Sequence, residues 1–159
     1  MQRKFNRELS LHLYNQIKAK PSHCFSNSVK ALALVPKAEY VEGYTVSPSV
    51  SEPYLHAWLE LDGNIIDPSL PNGDREYFPA GRRTMAEYSK IVKEIENLKR
   101  RGPTPLTDEA KKNLPKLVQE DAMNPNYHNI LVKKMRLNNT NPEFNSAYKQ
   151  AIVHKKEHN

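Results

Sequence analysis

The stretch HAWLELDGNIIDPS, His56–Ser69, decides how the chain is read. Leu55, Ala57, Leu59 and Leu61 alternate with His56, Trp58 and Glu60, the period-two pattern of a strand with two unlike faces. Asp62-Gly63 is a two-residue hairpin signal, because both central positions of the favoured turn need positive φ. Asn64–Asp67 then returns as the next strand, closed by Pro68. With that loop, Leu61 faces Asn64 and Trp58 faces Asp67, so His56 and Asp67 share a face as diagonal neighbours within side-chain reach. Parity is the sturdier part of this expectation. A two- or four-residue loop keeps the pair on one face, whereas a three-residue loop or a bulge separates it. The bland reading is a surface hairpin with polar decoration. The sharper reading is two members of a site whose third lies elsewhere.

Working outward, residues 5–20 carry Phe5, Leu9, Leu13 and Ile17 as one helical stripe, ended by Pro21. Ser22 is the expected N-cap of a second helix over about 23–35, with Phe25, Val29, Leu32 and Ala33 apolar and Pro36 as its stop. Residues 39–47 are aromatic and β-branched and read as a strand, linked by the polar PSVSEP to the hairpin. PNGDREYFPAGRR, 71–83, reads as a loop. A helix is expected over 84–101, with Thr84 as N-cap and Gly102-Pro103 as its end. Another is expected near 107–121, with Pro115 in its middle. Two more follow Asn124-Pro125 and Asn141-Pro142, where Asn caps and Pro takes the first helical position. The expected class is α+β: a helix on a small antiparallel sheet, with helices added by the second half.

A chain of 159 residues, 38% apolar and 26% charged with mean hydropathy −0.78, suits one domain or one domain with an appendage. Charge divides it unevenly. Residues 1–80 hold 8 basic and 9 acidic side chains, and residues 81–159 hold 16 and 9. The expected division is therefore a core over 1–80 and a basic helical extension over 81–159, packed together as one domain. The N-terminus has no apolar signal-peptide core, and no run approaches the roughly 18 apolar residues of a membrane span. A single cysteine permits no internal disulfide. A cytoplasmic protein without a membrane partner is the simplest expectation.

That cysteine, Cys24, falls in the first turn of the second helix. There the helix dipole and unpaired amides favour a thiolate, and the same amides are candidate oxyanion donors. A lone cysteine is more often a small buried apolar residue, a lone strand histidine is usually structural, and Asp before Pro is commonly a turn former. The three together, on these elements, favour a Cys24–His56–Asp67 triad. Trp58 would sit beside the pair and shield it from water. Trp58, Tyr44, Tyr54, His23 and Gln16 are candidate substrate-binding residues of the cleft. Gln16 and Asn15 are candidate side-chain oxyanion donors, against the plainer reading of exposed helix-surface amides. No phosphate-binding glycine loop, zinc cysteine pair or H-E-x-x-H motif is present. His154 and His158 stand at i, i+4 spacing in a charged terminus and read as a solvated tail.

CFSNSVKALA, VEGY and HAWLELDGNIIDPS together resemble the core of transglutaminase-like proteins, within the papain-like cysteine superfamily. The resemblance covers roughly residues 20–70. It implies a helix opened by the nucleophile and packed on an antiparallel sheet, with His in H-A-W and Asp in D-P-S on neighbouring strands. It further implies Cys24 as nucleophile, His56 as general base and then acid, and Asp67 as the orienting carboxylate. The acidic calcium cluster of larger members is not evident, so neither metal nor cofactor is expected.

Such a triad forms a thioester with an acyl group, and the attacking partner sets the outcome. Water gives proteolysis, amide hydrolysis or glutamine deamidation, and an amine gives transamidation. Hydrolysis of a protein, peptide or amide substrate comes first, because water needs no second binding site. The alternative is a binding module that uses the basic half on nucleic acid or an acidic protein partner, through Arg82, Arg83, Lys99, Arg100, Arg101, Lys133, Lys134 and Arg136.

Overall fold

A computed structural model describes residues 3–100 and 125–158. Among them lie five helices and a five-stranded mixed sheet, an α+β architecture. The expected helix at 107–121, the stop at Gly102-Pro103 and the side chain of Arg101 lie outside the described residues. The chain divides into two units, residues 1–85 with 136–159, and residues 86–135.

The first unit holds the sheet. Its strands are β1 (Lys4–Phe5), β2 (Glu39–Val46), β3 (Tyr54–Leu61), β4 (Asn64–Ile66) and β5 (Glu76–Arg83), in the order β1-β4-β3-β2-β5. Only β1 and β4 pair in parallel. Residue 80, where the charge shift placed a boundary, lies inside β5.

β5 corrects the loop expected over 71–83. Pro79 and Gly81 broke the strand pattern, yet β5 is an edge strand, where a missing ladder donor is tolerated. The register shifts between Glu42 and Gly43, opposite this segment. Gly43 is required there: a Cβ would stand 2.2 Å from the Phe78 carbonyl oxygen.

Phe5 is a second correction. It leaves the helical stripe for β1, pairs with Ile65, and packs against the buried cluster of Val41, Trp58, Ile65 and Tyr77. Helix α1 therefore starts later, over Arg7–Gln16, where the Asn6 side chain accepts a hydrogen bond from the Leu9 amide at 3.0 Å. It ends with Lys18 at φ 53°, where the Lys18 and Ala19 amides donate back to Asn15 and Tyr14 carbonyls.

Helix α2 (Cys24–Leu32) packs on β3 and β2. Its N-cap is His23, not Ser22. Ser22 sits at φ 62°, and a residue in that left-handed region cannot present the extended backbone of an N-cap. The last helix of the chain, Pro142–Glu157, lies against β5 and β2, with Asn141 as N-cap and proline in its first turn. It is fastened by buried Lys155, which donates to the Ser47 carbonyl at 2.7 Å.

The segment entering that helix is held by a buried carboxylate. Glu42, fully buried, accepts hydrogen bonds from Tyr40 Oη (2.7 Å), Arg136 Nε (3.1 Å) and the Leu137 amide (2.9 Å). The Arg136 guanidinium also lies 3.5 Å from the ring centre of Phe25 in α2. Residues 136–137 thus tie β2 to the helix that begins with Cys24.

The second unit contains α3 (Met85–Arg100) and α4 (Pro125–Met135). Ile91 and Ile95 are buried on α3, and Leu131 and Met135 on α4, each pair at i, i+4 spacing. No helix of the described residues is long and apolar enough to cross a membrane.

Candidate active site

The hairpin forms with the two-residue loop. Asp62 and Gly63 have φ 51° and 78°, and Leu61 pairs with Asn64, Glu60 with Ile65 and Leu59 with Ile66. This register carries His56 and Asp67 to one face. His56 Nε2 donates to Asp67 Oδ2 at 2.7 Å. The two residues are 2% and 0% exposed, which rules out surface decoration. Asp67 lies just past the end of β4, and both its oxygens are occupied. Oδ1 accepts from the Ser69 and Leu70 amides (2.9 and 3.1 Å), and Oδ2 also accepts from Tyr77 Oη at 2.7 Å. Its backbone amide donates to Ser10 Oγ at 3.0 Å, which in turn donates to the Asn6 carbonyl at 2.6 Å. A carboxylate held by this many donors stays fixed in orientation and presents one lone pair to the imidazole.

Cys24, half-buried, opens α2 and lies beside the His56 side chain, close enough to act on its imidazole, and both border one cleft. Because Nε2 is occupied by Asp67, the ring nitrogen left to serve the thiol is Nδ1. Burial works against the His56 imidazolium. The charge and hydrogen bond of Asp67 outweigh it, with a further contribution from Cys24, and the pKa is pushed up to about 10. Tyr77 is raised above its ordinary value by burial and then by the neighbouring Asp67 charge, so it stays a phenol and keeps donating.

Trp58 is fully buried and stacks on His56, ring centres 6.2 Å apart at 22°. It covers the imidazole from behind and does not line the cleft. The cleft is an open hollow of about 880 Å³, bordered by Tyr14, Ser22, Cys24, Phe25, Tyr54, His56, Leu70 and Arg75 among others. Of the remaining cleft candidates, the structure brings in only Tyr54, whose ring meets His56 edge-on at 5.9 Å. Tyr44 does not border it. Its ring packs against Tyr148 at 5.1 Å, on the opposite face of β2 from Gly43 and Thr45. His23 is exposed and hydrogen-bonds the Pro21 carbonyl through Nδ1 at 2.7 Å. Gln16 and Asn15 are exposed on α1 and do not border the cleft, which α1 reaches through Leu11 and Tyr14 instead.

Three contributors were invisible in the sequence reading. Tyr77 and Arg75 lie in the segment expected as a loop, and Ser10 lies in the first helix but off its apolar stripe. Asn27 is a fourth. Buried in α2, it accepts from the Lys20 amide (3.1 Å) and donates to the Lys20 carbonyl (2.9 Å) and Ser69 Oγ (3.0 Å). It joins the loop before the nucleophile to the loop after the carboxylate. The signal for Tyr77 was the alternation around EYF, obscured by Pro79.

Two of the arginines considered for an acidic partner have internal partners. Arg82 pairs with Glu60 at 2.6 Å, and Arg136 with Glu42 as described. His154 and His158 stack 4.1 Å apart on the last helix. Among the described residues, no group of three His, Cys, Asp or Glu side chains is placed to hold a metal ion. No protein-family model, curated protein or solved structure matches the chain.

Proposed function

We propose that the protein is a cysteine-dependent hydrolase or acyltransferase acting on an amide or peptide bond, with a transglutaminase-like, papain-like arrangement of Cys24, His56 and Asp67. The observation that carries this reading is the continuous chain of contacts from the Cys24 thiol to His56 and from His56 Nε2 to the buried Asp67 carboxylate, opening on a cleft. His56 takes the thiol proton, and the thiolate sulfur attacks the amide carbonyl carbon. The unpaired amides of the first turn of α2, which Cys24 opens, are the candidate donors to the developing oxyanion. The tetrahedral adduct collapses as the C–N bond breaks, and His56 returns the proton to the leaving amine. The thioester then passes its acyl group to water, with His56 taking a proton from that water and returning it to the sulfur. An amine in place of water gives transamidation. Hydrolysis is the simpler outcome, since water needs no second site.

The raised His56 pKa supports a histidine charged at neutral pH, which suits a thiolate–imidazolium pair. A binding role for the basic half loses support from the internal pairing of Arg82 and Arg136. Alkylation tests the proposal. Iodoacetamide labels Cys24 at neutral pH faster than a free thiol, and His56→Ala slows it. A wild-type rate equal to that of an unperturbed cysteine refutes the triad.

A further inference from the structure

Arg75 is an unusual side chain for a cleft wall. It is only 10% exposed, and its Nε is buried without a hydrogen-bond partner. Its guanidinium donates to Tyr54 Oη, a neutral acceptor, and approaches Asp74 at 3.4 Å. Asp74 is 61% exposed, so that pairing is screened by water. Glu42 and Glu60, by contrast, are buried carboxylates that each meet an arginine at 3.1 Å or closer. Arg75 is therefore a largely desolvated cation with too little negative charge around it. Burial accordingly pulls its pKa down. It borders the same cleft as Cys24 and His56, and Tyr54 links it to the imidazole.

We infer that Arg75 is the anion anchor of the Cys24 cleft, so that the acyl donor is an amide bearing a carboxylate. A planar guanidinium offers a carboxylate two parallel N–H donors, and a site poor in water strengthens them. Docking a carboxylate there completes the charge balance that Asp74 leaves open and fixes the donor in the cleft with its carbonyl toward the thiol. This inference rests on the proposed triad.

The test compares two alkylating agents that differ by one charge. In each, the Cys24 sulfur displaces iodide, forming a C–S bond. Iodoacetate carries a carboxylate and iodoacetamide does not. Relative to the same ratio for free cysteine, wild-type protein should favour iodoacetate by about tenfold, the scale of one charge-assisted contact. Arg75→Gln should remove most of that preference, read as the ratio of the two rates within each protein so that a general change in Cys24 reactivity divides out. Any preference due to His56 is common to both proteins and cancels. Fast iodoacetamide labelling with a ratio unaffected by Arg75→Gln overturns the anchor and leaves the triad standing. Free-thiol rates with both agents overturn the triad, and the anchor with it.

If Arg75→Gln does not fold, protection of wild-type Cys24 decides. N-acetylglutamate amide and N-acetylalanine offer a side-chain and a terminal carboxylate respectively, and N-acetylglutamine amide offers neither. Slowed iodoacetamide labelling by at least one carboxylate, but not by the glutamine compound, supports the anchor and names the source of the anion. No protection, or equal protection by all three, overturns it.

Discussion

Replacing Asp67 by asparagine tests the electrostatics of the site with almost no change in shape. The amide oxygen can still accept from the Ser69 and Leu70 amides, as Oδ1 does now. That leaves its NH2 group facing His56 Nε2, which must then become an acceptor. The neutral imidazole carries its proton on Nδ1, pointing at the thiol it was to deprotonate. The imidazolium also loses its counter-charge while remaining 2% exposed, so the His56 pKa falls from about 10 to below its ordinary 6.5. A drop of more than three units corresponds to roughly 5 kcal/mol. The wild-type shift also has a stability signature. A histidine raised in the folded state stabilises fully below its unfolded pKa of 6.5, and the contribution is lost as pH rises toward about 10. Between pH 7 and 9 the loss is on the order of 2–3 kcal/mol. Urea denaturation at pH 6, 7, 8 and 9, with imidazole NMR titration of both proteins, reads these quantities. The wild type should lose stability over that window, and Asp67→Asn should lose markedly less. A wild-type His56 that titrates near 6.5, or parallel pH profiles for the two proteins, refutes the reasoning.

Two further substitutions separate structure from chemistry. Tyr77→Phe removes one buried hydrogen bond to the Asp67 carboxylate and leaves the ring to pack on Phe5 and Trp58. It should cost about 1.5–3 kcal/mol by urea denaturation, and an unchanged midpoint would contradict the contact. Gly63→Ala places a methyl group where nothing lies within 4 Å, at φ 78°. Its cost is conformational, about 1–2 kcal/mol, and Cys24 labelling should keep its wild-type rate. A change in labelling would mean the turn does more than close the hairpin.

The hairpin was legible because three local rules agreed there: strict alternation, an Asp-Gly turn, and a parity that tolerates small register errors. Cys24 was legible because a proline and a change of periodicity mark the start of α2. The second site layer was not. Tyr77 lies on an edge strand whose proline and glycine are penalised by any local rule, and only its pairing with β2 rescues it. Phe5 carried a helical spacing that tertiary packing overrode, since it completes the cluster around Trp58. Ser10 looks like any helix serine until Asp67 arrives from 57 residues away. Tyr44 and His23 were plausible by type and neighbourhood, but the side of β2 and a local turn send them elsewhere. The Asn-Pro start at Asn141 and Pro142 was readable, being wholly local chemistry.

Asn27 has a consequence for hydrogen exchange. The Lys20 amide lies in a loop between two helices, where exchange with solvent is ordinarily fast. Its acceptor, however, is the buried Asn27 side chain, which also reaches across to Ser69. Lys20 should therefore exchange slowly for a loop amide, and its rate reads the opening of the Asn27 contact beside the cleft.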